Sequence, residues 1–425
     1  MSMFALDETE VTGLMRDLVP NLEPEAVAEV FARASWTGIA EPGDRCAGEL
    51  IGALGPVTAL TALITGWSVQ RIADTAKAAG SQLTAAETQS ALERWNPRLK
   101  SGAALIALRQ AVRYSVRLIV PGDPAWPAGV NDLGDHAPIA LWLRGNESTL
   151  LAANRSIALV GARAATGYGE HITMEVSAGL VNRGFAIISG AAYGVDGMAH
   201  RAALASSGQT VAILAGGVDR FYPSGHDALL TRIVQSGAVI SELPCGSAPT
   251  KWRFILRNRL IAAVSQATVV LEAGWRSGSL NTAGHAASLG RPIGATPGPI
   301  TSVASSGCHR LIREFDATLV TSAAEMAELV DGYASATEQA PEVNPKGDPR
   351  VDVRAAAGQS PQVQPSRTRL NDALSLRSPR TVDDLAARTG MSIGEVQAEL
   401  GSLELDGGAT ERERGWVARS AKATR

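Results

Sequence analysis

Cysteine is nearly missing from this chain: Cys46, Cys245 and Cys308 are the whole supply in 425 residues, far apart and without a C-x-x-C spacing. That excludes a disulfide framework and a cysteine-held zinc. Charge is also sparse, at 19% of residues with a formal net charge of −3. A globally basic surface is therefore excluded, and any polyanion must be met locally. No uncharged apolar run is long enough to span a bilayer. The first residues, MSMFALDETE, are acidic and lack the apolar segment of a signal peptide. The expectation is a cytoplasmic protein with no membrane partner. There is no Walker loop, no H-E-x-x-H and no Ser–His–Asp signature, and no nucleophile–base–orienter set stands out. No catalytic residue, cofactor or metal is expected.

What is present falls into four stretches. Residues 1–115 carry apolar residues at helical spacing, as in EAVAEVFARAS and DTAKAAGSQLTAAETQSALERW. Between those helices, LIGALGPVTALTAL (50–63) reads either as a helix-hairpin-helix whose Gly52 and Gly55 offer backbone N–H groups to a phosphate, or as a plain packing corner. Residues 116–332 open with a proline-rich lead-in and a short strand at Ile139–Leu143. Buried runs then alternate with helices: SIALVG, AIIS, TVAILAG, AVISE, TVVLEA and PIGAT. This is the pattern of an α/β, doubly wound, mostly parallel sheet, whose ligands bind beyond the carboxyl ends of the strands. Residues 333–368 hold five prolines among Ala, Gln, Ser and Gly, the composition of a flexible linker. Residues 369–425 recover order. Thr381 caps one helix, Gly390 ends it, Ser392 caps a second, and ERERGWVAR supplies a hairpin wing, a winged-helix-like spacing.

Five strand-end loops are candidate site loops: 161–169, 189–200, 216–226, 272–283 and 297–309. The first, GARAATGYG (161–169), has Arg163 and Thr166 where a dinucleotide fingerprint needs glycine, so NAD binding is excluded. It reads either as a phosphate seat made by Gly161, Arg163 and the Thr166 hydroxyl, or as a tight turn with a surface arginine. In SGAAYGVDGMAH (189–200), Asp196 and His200 share a helix face, and a mutual hydrogen bond is expected rather than a metal, since no third ligand is evident. EAGWRSGSLNTAG places Gly278, Ser279 and Thr282 at the start of a helix, an anion-friendly end, and Glu272 is the one strand-end carboxylate that could act as acid or base.

The strongest local signal is KWRFILRNR, 251–259. Four cations are interleaved with Trp252 and Phe254, and no acid occurs from Leu243 to Leu271. Over 154–330 there are 14 Lys+Arg against 11 Asp+Glu, and four of the fourteen fall in these nine residues. Cations neutralise phosphates and an aromatic ring stacks on an unpaired base.

Taken in order, VGARAATGYG, SGAAYGVDGMAHRAAL, GGVDRFYP, ISELPCG, F-x-x-RNRLIAA, VVLEAGWRSGSLNTAGHAASLGR and TPGPI closely resemble the DprA/Smf family over about 116–320. The resemblance implies a Rossmann-like core between a helix-hairpin-helix-like or SAM-like N-terminal domain and a C-terminal winged-helix-like domain. It implies a non-enzymatic protein that binds single-stranded DNA, loads RecA during natural transformation and works as a homodimer. Carried over by motif, the DNA-binding positions are Gly161, Arg163 and Thr166; Ser189 and Gly190; Phe254, Arg257, Asn258 and Arg259; and Ser277, Gly278 and Ser279. Arg257 and Arg259 are expected to pair with phosphates. Lys251, Trp252, Arg253 and Tyr193 are flanking candidates.

Three departures qualify that resemblance. Tyr193 stands where many relatives carry Arg or Lys. Trp252 and Arg253 stand where a Pro-x-x-Phe-Pro-like run is common. The recognition-helix candidate, 392–409, holds Glu395, Glu399, Glu404 and Asp406 and no Lys or Arg, so DNA phosphates should repel it. Its expected role is a protein contact or autoregulation, against the alternative of a stabilising appendage. Two rival functions remain: a phosphoribohydrolase-like enzyme, disfavoured because Thr282 stands where the catalytic Glu of that motif would be, and a transcription regulator acting through residues 369–425.

Overall fold

The computed structural model describes residue 4 and residues 6–339 and 365–419. The N-terminal part is seven helices: α1 (Glu8–Leu18), α2 (Val27–Ile39), α3 (Arg45–Leu54), α4 (Pro56–Ile64), α5 (Val69–Ala78), α6 (Ala85–Trp95) and α7 (Ser101–Arg113). Their starts are set by local chemistry. Asp7 caps α1, and Thr84 and Glu87 form a reciprocal capping box on α6. Between α3 and α4, Gly55 adopts φ 74°, a left-handed-side conformation that a side chain resists, and Pro56 starts the next helix. The two helices meet at 109°. Their apolar faces pack around Phe31, Trp36 and Trp95, the last two rings edge to face at 5.1 Å.

The central sheet has nine strands: β1 (Arg117–Ile119), β2 (Leu141–Gly145), β3 (Ser156–Gly161), β4 (Ala186–Ser189), β5 (Thr210–Ile213), β6 (Ala238–Ser241), β7 (Ala267–Glu272), β8 (Ile293–Ala295) and β9 (Thr318–Leu319). Their order is β1-β2-β6-β5-β4-β3-β7-β8-β9. The pairs β1–β2 and β2–β6 are antiparallel and all others are parallel. The doubly wound, mostly parallel sheet read from the sequence is borne out. Side chains alternate between the two faces. Ile157, Leu159 and Val269 pack with α9 (Gly167–Val181), α10 (Val195–Ala205) and α15 (Ala323–Gln339). Ala158, Val160 and Val270 pack with α12 (Lys251–Val264), α13 (Ser279–Ser288) and α14 (Ser306–Glu314). Two further helices, α8 (Glu147–Ala152) and α11 (Asp227–Ser236), lie near the β6 end. There the N-terminal helices share one core with the sheet, and Trp142 Nε1 donates to Thr37 Oγ1 at 3.2 Å.

Winding runs from β3 out to β6, then returns to β7 on the other side of β3. The switch point therefore lies between the carboxyl ends of β3 and β7, where such sheets bind ligands.

The C-terminal part comprises α16 (Pro365–Ala373), α17 (Val382–Thr389) and α18 (Ile393–Leu405), with a hairpin of β10 (Ala409–Arg412) and β11 (Gly415–Ala418). Thr381 and Ser392 cap α17 and α18, and Gly390 ends α17 with φ 67°, giving a winged helix around Leu385, Val396 and Leu400. Residues 340–364, most of the stretch expected to be a linker, lie outside the described residues. Its two margins belong to helices, α15 reaching Gln339 and α16 starting at Pro365.

Candidate nucleic-acid interface

A pocket of about 1160 Å³ opens at the switch point. One wall is the loop after β3, with Gly161 and Arg163. A second is the start of α12, with Thr250, Lys251, Phe254, Arg257 and Asn258. A third is the turn after β7, with Trp275, Ser277, Gly278 and Ser279. Tyr222 and Val303 close the sides, and Asp372 reaches in from α16.

Phe254 is the centre of an aromatic and cationic cluster. The Arg163 and Arg257 guanidinium carbons lie 5.2 and 5.7 Å from its ring centroid. The half-exposed Tyr222 ring is 5.6 Å away at a tilt of 51°. Arg163 is exposed and lines the opening.

Arg257 lines the same pocket but is only 5% exposed. Its Nη1 donates to the Gly190 carbonyl at 2.8 Å and to the Ile213 carbonyl, while its buried Nε has no hydrogen-bond partner. Gly190 leaves room for this guanidinium: a Cβ there would sit 2.2 Å from Arg257 Nη1 and would force it to shift. Burial, opposed by Asp196 and reinforced by Arg163, pulls the guanidinium down to about 10, so it stays cationic at neutral pH. Asp196 is itself raised by burial, against the pull of Arg257 and of the Ala192 and Gly190 amides. Arg257 thus supplies fixed positive charge beneath the pocket. The guanidinium expected to pair with a phosphate already spends its Nη1 on two backbone carbonyls.

Several expected contacts are committed elsewhere. Arg259 leaves the pocket on the far side of α12 and pairs with Glu242 through two 2.6 Å hydrogen bonds. The expected phosphate pairing of Arg259 is therefore corrected. Thr166 donates its hydroxyl to Glu272 Oε1 at 2.6 Å and accepts from the Gly169 amide at 3.2 Å, so it clamps the loop to β7 and caps α9 instead of seating an anion. Glu272, 2% exposed, also accepts the Thr166 amide at 2.8 Å; it is a structural clasp. Ser189 is fully buried and donates to the Leu159 carbonyl at 2.7 Å. Trp252 lies under the Arg369 guanidinium at 5.3 Å, and Arg253 is held by Glu41 and the Ala248 carbonyl. Both serve contacts between domains. Tyr193, half-exposed, packs edge-on to His226 at 4.8 Å outside the pocket lining.

The remaining candidates are in place. Asn258 Nδ2 donates to Asn281 Oδ1 at 3.2 Å and lies 3.4 Å from the Gly278 carbonyl, tying α12 to the β7 turn. The Ser277 and Ser279 hydroxyls face each other at 2.8 Å, and Gly278 between them has open space where a Cβ would be. The expected hydrogen bond between Asp196 and His200 is absent. Asp196 accepts the Gly190 amide at 3.2 Å, while His200 Nδ1 meets Thr210 Oγ1 at 2.7 Å. Among the described residues no group of three His, Cys, Asp or Glu could hold a metal.

Pocket residues not singled out from the sequence include Tyr222, Trp275 and Asp372. Aromatics are 4% of the chain, yet half-exposed Tyr222 and Trp275 share this one pocket with Phe254. An exposed aromatic in a strand-end loop was the available signal. Asp372 had none, because it comes from a domain more than 100 residues away in sequence.

The family described as DNA recombination-mediator protein A matches residues 117–331, and the DprA winged helix domain matches residues 354–413. The chain is 43% identical to the putative DNA processing protein DprA of Mycobacterium tuberculosis, over 73% of this chain and 78% of that protein. It is 35% identical to protein Smf of Escherichia coli over 64% and 69%, respectively. The X-ray structure of DprA from Streptococcus pneumoniae superposes with a TM-score of 0.55 at 30% identity, over 70% of this chain and 95% of that one.

Proposed function

The chain belongs to the DprA/Smf family of DNA recombination mediators, and from that premise we propose that it binds single-stranded DNA in the switch-point pocket and delivers it to a RecA-type recombinase. The observation that carries the reading is Phe254, set between Arg163 and Arg257 in an open pocket beside Lys251. Cations answer phosphates, and rings answer only bases that are not already stacked in a duplex. Tyr222 and Trp275 extend the stacking surface to the flanks. Loading of RecA and action as a homodimer are part of this proposal, supported only by the family resemblance.

The enzymatic reading loses support from the same geometry. Thr282, where a phosphoribohydrolase would carry its carboxylate, is buried, and Glu272 is sealed against Thr166. The deciding measurement is fluorescence anisotropy of labelled oligo-dT against a duplex of equal length across a salt series. Tighter, salt-sensitive binding of the single strand is expected. Preference for the duplex would overturn the reading, as would release of free base from nucleoside monophosphates. Light scattering at several concentrations tests the homodimer, and strand exchange with and without the protein tests loading.

A further inference from the structure

The C-terminal domain docks on the helix that forms the pocket's cationic wall. Asp372, on α16, accepts the backbone amide of Lys251 at 2.8 Å through Oδ2, and its Oδ1 lies 3.7 Å from Lys251 Nζ. Lys251 is the first residue of α12, so this carboxylate sits on the positive end of a 14-residue helix. Asp372 lines the same pocket as Arg163 and Phe254. The contact is held from behind: Arg369 covers Trp252, and Arg98 Nε donates to the Ala387 carbonyl at 2.7 Å.

A helix N-terminus with an adjacent ammonium is where a DNA phosphate would settle. One amide N–H cannot serve a carboxylate and a phosphate at hydrogen-bond distance together. Resting on the reading of the pocket given above, we propose that Asp372 occupies a phosphate position at the pocket rim, so that the winged helix acts as a built-in competitor that single-stranded DNA must displace. Its second helix, α18, carries no Lys or Arg and presents Glu395, Glu399 and Glu404. A helix of that charge offers DNA phosphates nothing to hold, although the domain as a whole is close to neutral.

The test uses the full chain with Asp372→Asn, which keeps an oxygen acceptor and removes the charge. Oligo-dT affinity should rise about 2- to 5-fold near physiological salt, the worth of one charge at a helix end. The salt dependence should steepen by ~0.7, because Lys251 then holds a counterion for DNA to release. Independently, adding oligo-dT to the unaltered protein should raise amide exchange across residues 365–373. Equal or weaker binding by Asp372→Asn, or exchange in α16 unchanged by DNA, overturns this inference alone. Failure of both proteins to bind single strands overturns the reading of the pocket and this inference with it.

Discussion

Arg259 and Glu242 form a bidentate pair sealed inside the protein, with side chains 7% and 8% exposed. The pair pins α12 to the end of β6, and Gly43 leaves room for it, since a Cβ there would meet Arg259 Nε at 2.6 Å. Removing one member leaves the other charge buried and alone, which costs about 3–5 kcal/mol. Arg259→Ala should therefore lower the urea midpoint markedly. Any protein that still folds should keep the wild-type salt dependence of DNA binding. A normal midpoint with a shallower salt slope would restore the phosphate role to Arg259.

Arg163 is the opposite case. It is exposed, lines the pocket and leans on the Phe254 ring. Arg163→Ala should leave stability within about 0.5 kcal/mol and reduce the salt slope of single-strand binding by ~0.7. Anisotropy titrations at four or more salt concentrations give both numbers. An unchanged slope would remove Arg163 from the interface.

The contrast shows where sequence reading succeeds and stops. SIALVG and TVVLEA are legible as buried parallel strands because each is apolar on both faces, and Thr381, Gly390 and Ser392 act through neighbours a few residues away. The interleaved cations of KWRFILRNR locate the right helix but not the right face. A helix turns Arg257 under the pocket and Arg259 away from it, and Glu242, Gly190 and Glu41, which decide what each arginine does, lie on other elements. Nor does local sequence show that Thr166 would spend its hydroxyl on Glu272, 106 residues on.

The aromatic walls can be separated from the cationic ones. A ring stacked on a base contributes about 1–3 kcal/mol with no ion released. Phe254→Ala and Trp275→Ala should each weaken oligo-dT binding by about 5- to 150-fold while the salt slope holds. An abasic oligonucleotide should bind all three proteins alike. If Trp275→Ala matches the parent on normal oligo-dT, the third wall of the pocket carries no base.

Glu41 joins the three parts of the chain. Its carboxylate, 10% exposed, accepts Arg253 at 2.8 and 3.2 Å and Arg98 as well, and Arg98 in turn reaches the winged helix. Burial pushes the Glu41 carboxyl up, but Arg253 and Arg98 outweigh it and hold the group well below its ordinary 4.5. A depressed carboxylate stabilises the folded state above its unfolded pKa, and that contribution drains away as pH falls toward the folded value. Glu41→Gln should therefore cost about 3–5 kcal/mol at pH 7, by leaving two buried arginines without their counter-charge. The gap to the parent should stay constant down to about pH 4.5 and then narrow, by at most about 1.4 kcal/mol per pH unit. Urea unfolding at pH 7, 5, 4 and 3 measures it. A gap that is already small at pH 7, or that widens in acid, would show that Glu41 does not hold this joint together.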